Sequence, residues 1–105
     1  METYSIEVTP NADADVERCY RYLVEVLHSW EAADAFLDDY YESLDKLSLV
    51  AGKLKMGEHP LMKSRALRRL NFHRHHYFLL YRMEGLTAVI IAVAHFRQDI
   101  SNVLK

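Results

Sequence analysis

The segment that most restricts how this chain folds is residues 87–95, whose sequence TAVIIAVAH is apolar at nearly every position. Successive side chains of a β-strand point to opposite faces, so a strand that is apolar on both faces needs cover on both. The segment therefore predicts a central strand of a sheet. No apolar run in the chain approaches the roughly 20 residues that a membrane span requires, and no membrane partner is expected.

Three other segments are predicted to be strands. The first is residues 3–9, in which apolar side chains alternate with polar ones, and it is stopped by a proline. The second and third are residues 65–72, which are strongly basic, and residues 76–83, which are aromatic and aliphatic. Glu84 and Gly85 follow directly and predict a two-residue hairpin turn, because glycine tolerates the positive φ of such turns.

Between the first strand and the other three, the apolar residues recur at steps of three and four, which predicts two helices. The first is expected to begin after Pro10, with Asn11 or Asp13 as its N-terminal cap. The second is expected over about residues 30–50, with Ser29 as its cap. Because the break between them is short, the two helices should form an antiparallel hairpin.

The order β-α-α-β-β-β predicts a single α+β domain over residues 1–105. We expect a mostly antiparallel four-stranded sheet with the N-terminal helical hairpin packed on one face. The residues after the last strand are expected to form a short C-terminal helix or an irregular end. The second face of the sheet is then open for function, and the basic residues come from the segments that build it.

Charge is distributed unevenly along the chain, whose net charge is −2. Residues 1–50 hold three Lys/Arg and twelve Asp/Glu, and residues 51–105 hold ten and three. This asymmetry indicates that one face meets an anionic partner, although two differently solvated faces would also explain it. The acids of the helical hairpin are expected on its outer faces: Glu25, Glu31, Asp34, Asp38, Asp39, Glu42 and Asp45. The residues expected to contact a target or partner are Lys53, Lys55, Arg65, Arg68, Arg69, Arg74 and Arg82.

The sequence HRHH at residues 73–76 suggests a metal site at first, but its pattern does not favour one. In an extended chain His73 and His75 share a face, His76 lies on the other, and Arg74 would repel a cation. We therefore expect a turn between two strands with half-exposed histidines, and neither a metal nor another cofactor. A single cysteine, Cys19, cannot form an internal disulfide, which is typical of a reducing cytoplasm.

The order of elements and the motifs together resemble the RelE/ParE superfamily of toxins from bacterial type II toxin–antitoxin systems. The similarity is clearest in RALRRLNFHRHHYFLLYRMEGLTAVIIAVAHFRQDI, residues 65–100. The resemblance implies a small cytoplasmic toxin that a cognate antitoxin neutralises, in a toxin–antitoxin hetero-oligomer. It also implies one of two targets. RelE-like members cleave mRNA in the ribosomal A site, whereas ParE-like members poison DNA gyrase and lack the RNase residues.

Compared position by position, most of the residues that RelE-like enzymes use for cleavage are missing. Phe78 stands where these enzymes have an arginine in the middle of the strand, and Val103 falls near their C-terminal tyrosine. Arg97 matches the arginine after the last strand, and Arg69 and Asn71 occupy the lysine positions. The resemblance therefore favours a ParE-like toxin that is not a nuclease.

Two alternatives remain at this level. His95 and Arg97 could form a substitute catalytic pair for mRNA cleavage, with His73 or His75 as a second proton carrier, because histidine titrates near neutral pH. The chain could also be a degenerate homologue without toxicity, which binds the antitoxin only as a co-repressor.

Overall fold

The computed structural model describes residues 3–104, which form a four-stranded sheet and several helices. Among these residues, no helix combines the length and the apolar character that crossing a bilayer requires. The strands are β1 (Ser5–Val8), β2 (Arg68–Asn71), β3 (Tyr77–Glu84) and β4 (Thr87–His95). The α-helices are α1 (Pro10–Arg21), α2 (Trp30–Val50), α3 (Pro60–Ser64) and α4 (Ile100–Val103). A π-helical segment, Tyr22–Val26, extends α1, and a 3-10 turn, Ala51–Lys53, follows α2.

The sheet has the strand order β1-β4-β3-β2, so β4 lies inside it as its apolar sequence predicts. β1 runs parallel to β4, whereas the β3–β4 and β2–β3 pairs are antiparallel. The predicted α+β class and mostly antiparallel sheet are therefore confirmed. The short C-terminal helix is also present, as α4.

The first helix begins earlier than the sequence suggested, by two or four residues depending on which predicted cap is taken. Its cap is Thr9, whose side-chain oxygen accepts a hydrogen bond from the Ala12 N–H at 3.2 Å. The prediction of Asn11 or Asp13 as the cap was wrong, because Pro10 occupies the first helical position. Proline fits there since its fixed φ suits the helix and its missing N–H would have no intrahelical partner.

The helical hairpin covers one face of the sheet and forms the larger core. Ser29 caps α2 as predicted, because its side chain accepts a hydrogen bond from the Ala32 N–H at 3.1 Å. The aromatic rings of Phe36, Phe72 and Tyr77 pack against one another between α2 and the sheet. Further buried members of this core are Ala33, Tyr40, Leu47, Leu79, Tyr81, Ala88, Ile90 and Val93.

The second face of the sheet is not open, contrary to the sequence-based expectation. A smaller core lies there, and α3, α4 and the residues before β2 cover it. The physical reason is the apolar composition of β4, which must be removed from water on both faces. The buried members of this second core are Met62, Leu67, Phe78, Leu80, Ala92, Ala94 and Leu104.

A β-bulge in β4 decides which face its last residues occupy. Leu80 pairs with Ala92 and Tyr81 pairs with Ile90, so Ile91 is an extra residue without a partner on β3. The alternation of faces shifts at this point, and Val93 joins Ile90 in the hairpin-side core. The shift also brings His95, two residues further on, to the side of the sheet that the helical hairpin covers.

Candidate functional site

The residues that could take part in binding or catalysis lie at one end of the sheet, where β4 ends beside the loop between β2 and β3. The Phe96 N–H donates to the His76 carbonyl at 2.8 Å and joins these two segments. Within residues 3–104, no group of three or more His, Cys, Asp or Glu side chains is arranged to hold a metal ion. The site is therefore built from hydrogen bonds, aromatic stacking and arginine side chains.

The HRHH segment forms a loop around the buried carboxylate of Asp39, which comes from α2. Asp39 is 1% exposed and accepts hydrogen bonds from the backbone N–H groups of His73, Arg74 and His75, at 3.1, 3.1 and 2.9 Å. The ring Nδ1 of His75 lies 2.8 Å from the same carboxylate. The predicted turn between two strands is confirmed, and a helix residue holds it in shape.

Asp39 is the residue that sequence reasoning misplaced, because it was counted among the acids on the outer face of the hairpin. Burial alone would raise its pKa, but hydrogen bonds from the His75 side chain and from the N–H groups of Arg74 and His75 outweigh burial and lower it. The carboxylate is therefore ionised at neutral pH. A sequence signal existed, since Asp39 follows Phe36 by three residues and so lies at the edge of the apolar stripe.

On the hairpin side of the sheet, His95 and Arg97 line one open cavity of about 360 Å³. The chain turns after β4, yet both predicted residues reach the same space. Burial first, and then the charges of Arg97 and His76, lower the pKa of His95, so its ring is neutral at pH 7. The remaining lining residues are Arg18, Cys19, Tyr22, Tyr77 and Gln98.

The hydrogen bonding of His95 fixes which ring nitrogen carries the proton. Its Nδ1 accepts the backbone N–H of Arg97 at 3.0 Å, so that nitrogen holds the lone pair and Nε2 carries the hydrogen. His73 and His75, which the sequence suggested as second proton carriers, do not line this cavity. The cavity lining, as far as the structure describes it, contains no Asp or Glu side chain that could act as an acid or base.

On the opposite side of the sheet, Phe78 lies under the guanidinium of Arg69. Phe78 is 1% exposed, and the Arg69 Cζ atom is 3.8 Å from its ring centre and 5.0 Å from that of Phe96. The Arg69 Nε–H donates to the Asn71 Oδ1 at 2.7 Å. His76 stacks on Phe96 with ring centres 5.4 Å apart. We call these five residues the Arg69 cluster.

The seven basic residues expected to bind a partner do not form one patch. Arg68 and Arg69 lie on opposite faces of β2, because they pair with Tyr81 and Leu80 on β3. Arg68 faces the helices and donates to the Ala51 carbonyl at 3.2 Å, at the C-terminal end of α2. It therefore has a structural partner, whereas Arg69 stacks on aromatic rings.

Two more of the seven are paired with acids of the same chain. The Nη2 atom of Arg74 lies 3.6 Å from Oε1 of Glu42, and the Nη2 atom of Arg82 lies 2.9 Å from Oε2 of Glu84. Both pairs are exposed to solvent, where such bridges contribute little to stability. The other three are exposed and form no ion pair with any residue that the structure describes: Lys53, Lys55 and Arg65.

Comparison with models of known protein families identifies one family. The model of the family described as "ParE toxin of type II toxin-antitoxin system, parDE" matches residues 6–100. A solved structure of a chromosomal ParDE toxin–antitoxin system from P. aeruginosa is similar, with a TM-score of 0.72 and 25% identity. That match covers 89% of this chain and 96% of the other.

A second solved structure, the toxin–antitoxin complex RelBE2 from Mycobacterium tuberculosis, shares the fold. Its TM-score is 0.58 at 21% identity, over 90% of this chain and 93% of that one. A search among curated protein sequences finds no significant match.

Proposed function

This chain belongs to the ParE toxin family of type II toxin–antitoxin systems, and we propose that it inhibits growth in the cytoplasm by binding DNA gyrase. On this proposal it cuts no RNA. The observation that carries the proposal is the environment of Phe78, at the position where RelE-like enzymes hold an arginine.

Cleavage of RNA through its 2′-hydroxyl needs a base, an acid and cations that stabilise the developing negative charge. The side chain of Phe78 cannot accept a proton, donate one or carry a positive charge. It is buried, at 1% exposure, under Arg69. Val103, near the position of the tyrosine of RelE-like enzymes, packs against the second core. Both positions thus serve the packing of this fold, which supports a toxin that acts by binding.

The substitute pair of His95 and Arg97 is also poorly arranged for base catalysis. A neutral imidazole has one lone pair, and in His95 that lone pair already accepts the Arg97 N–H. The other nitrogen, Nε2, carries a hydrogen and cannot take a proton. To act as a base, His95 would have to break the hydrogen bond that closes the turn after β4.

We propose a cognate antitoxin as the second partner, in a toxin–antitoxin hetero-oligomer. The two solved structures described above are toxin–antitoxin systems. The exposed bases Lys53, Lys55 and Arg65 and the Arg69 cluster give an acidic antitoxin segment several cations to contact.

The decisive experiment measures both candidate activities with the same purified protein. We expect the wild type to inhibit DNA supercoiling by gyrase, and we expect mRNA in a cell-free translation reaction to stay intact by primer extension. Addition of the antitoxin from the neighbouring reading frame should restore supercoiling. The His95→Ala variant should inhibit gyrase as strongly as the wild type, because the proposal gives His95 no chemical step.

Two results would contradict the proposal. Codon-specific mRNA cuts that disappear in His95→Ala or Arg97→Ala would establish the RelE-like endoribonuclease instead. A chain that binds the antitoxin but neither slows growth nor acts in either assay would be the co-repressor without toxicity.

A further inference from the structure

The guanidinium of Arg69 is held in place by its own chain and still has unused hydrogen-bond donors. The Phe78 ring supports one face of it at 3.8 Å, and Asn71 accepts the Nε–H at 2.7 Å. The terminal nitrogens make no hydrogen bond or ion pair with any residue from 3 to 104. A guanidinium fixed in this way loses little conformational entropy when a ligand binds to its outer edge.

Arg69 is partly buried and has no carboxylate beside it as a counter-ion among the described residues. Burial alone lowers the pKa of this side chain, and no carboxylate among the described residues offsets it. Taking a cation out of water costs free energy unless an anion pairs with it. An oxyanion that binds the terminal nitrogens through two parallel hydrogen bonds would supply the missing charge.

The surroundings of Arg69 decide what kind of anion fits. Phe96 is 42% exposed and His76, stacked on it, is exposed as well, so a flat aromatic surface borders the guanidinium. Arg82, on the same face of the sheet, is already paired with Glu84. A nucleic acid backbone rewards several neighbouring cations, whereas one cation beside an aromatic surface suits one carboxylate flanked by an apolar side chain.

We propose that the Arg69 cluster is the docking site for an Asp or Glu side chain of the antitoxin, with a neighbouring apolar residue of the antitoxin on Phe96 and His76. This inference rests on the proposed function only in taking the antitoxin as the partner. The carboxylate pairs with the two terminal nitrogens of Arg69, and the apolar neighbour covers the exposed edge of Phe96 and removes it from water.

The test compares the affinity of the purified antitoxin for four proteins by titration calorimetry. Arg69→Met, which keeps an unbranched side chain but loses the guanidinium and its charge, should weaken binding by about 30-fold, as an interface arginine at the centre of a contact does. Arg69→Lys should weaken it by about tenfold, because an ammonium cannot form the two parallel bonds. Arg21→Met, in an exposed ion pair on α1, is the matched control and should stay within about twofold of the wild type.

A second readout does not depend on the stability of any variant. The Nε–H proton resonance of Arg69 in the wild type should shift when the antitoxin is added, and that of Arg21 should not. A single-stranded oligonucleotide is titrated in parallel, and we expect its affinity to be the same for the wild type and Arg69→Met.

The outcomes separate failure of this docking site from failure of the proposed toxin–antitoxin function. If the wild type and Arg69→Met bind the antitoxin equally and the Arg69 resonance does not move, the inference is overturned and the toxin–antitoxin assignment stands. If oligonucleotide affinity falls in Arg69→Met while antitoxin affinity does not, the cluster binds nucleic acid and the inference is again overturned. If even the wild type does not bind the antitoxin, the partner in the proposed function is lost and the inference fails with it.

Discussion

The carboxylate of Asp39 shows how one residue can set the shape of a loop that is distant in sequence. It satisfies three consecutive backbone N–H groups of residues 73–75 and the ring of His75, all more than 30 positions away. These donors would otherwise be partly buried without a partner, which costs free energy. The histidines of this loop are therefore positioned by a structural anion.

We predict that Asp39→Asn lowers the free energy of unfolding by about 3 kcal/mol, because the amide loses the charge and turns an N–H₂ group toward backbone donors. Urea denaturation followed by circular dichroism measures this difference. The control is Asp38→Asn, next to it on the exposed side of α2, which should change stability by less than about 0.5 kcal/mol. Equal effects of the two substitutions would mean that the Asp39 hydrogen bonds contribute nothing.

The lowered pKa of Asp39 leads us to predict that the stability of the protein depends on pH. Its pKa in the folded protein is lower than the ordinary value of 3.8, so the unfolded chain binds this proton more tightly than the folded one. The stabilisation is complete above pH 3.8 and is lost as the pH falls toward the folded-state pKa. The difference in unfolding free energy between the wild type and Asp39→Asn, measured in urea from pH 7 to pH 2, should shrink below about pH 4. A difference that stays constant over this range would contradict the lowered pKa.

At the scale of the element, the β3–β4 hairpin carries the site, and two local features set its geometry. The bulge at Ile91 directs His95 to the helix side, and a turn of Gly85 and Leu86 joins the strands between Glu84 and Thr87. The sequence predicted a two-residue turn here, but one position earlier. Gly85 has a φ of +62°, so it occupies the first turn position, where only a residue that tolerates positive φ fits.

We predict that Gly85→Ala lowers the free energy of unfolding by about 1 kcal/mol, through backbone strain alone. A Cβ at this position would meet no atom within 4 Å, so no steric clash contributes. Gly85→Asn should cost less than Gly85→Ala, since asparagine tolerates the left-handed region better. Thermal unfolding of the wild type and the two variants tests this order of stability. An alanine variant as stable as the wild type would show that the positive φ of Gly85 causes no backbone strain in alanine.

At the scale of the whole molecule, the sheet is a middle layer between a large helical layer and a small one. The small layer of α3, α4 and Leu67 protects the second face of β4 and leaves the Arg69 cluster near its border. The basic residues are consequently spread over loops, edges and both faces. The loop held by Asp39 meets the end of β4 at one end of the sheet.

The amino-acid sequence by itself determined the class, the order of elements, the inner position of β4, the cap of α2 and the family, because hydrophobic period and turn residues are local properties. Only the tertiary structure decided the buried role of Asp39, the cover over the second face and the placement of Arg69 on Phe78. These depend on contacts between residues far apart in the chain. A helix residue at the edge of its apolar stripe, or an arginine on an edge strand, acquires its surroundings only when the layers pack.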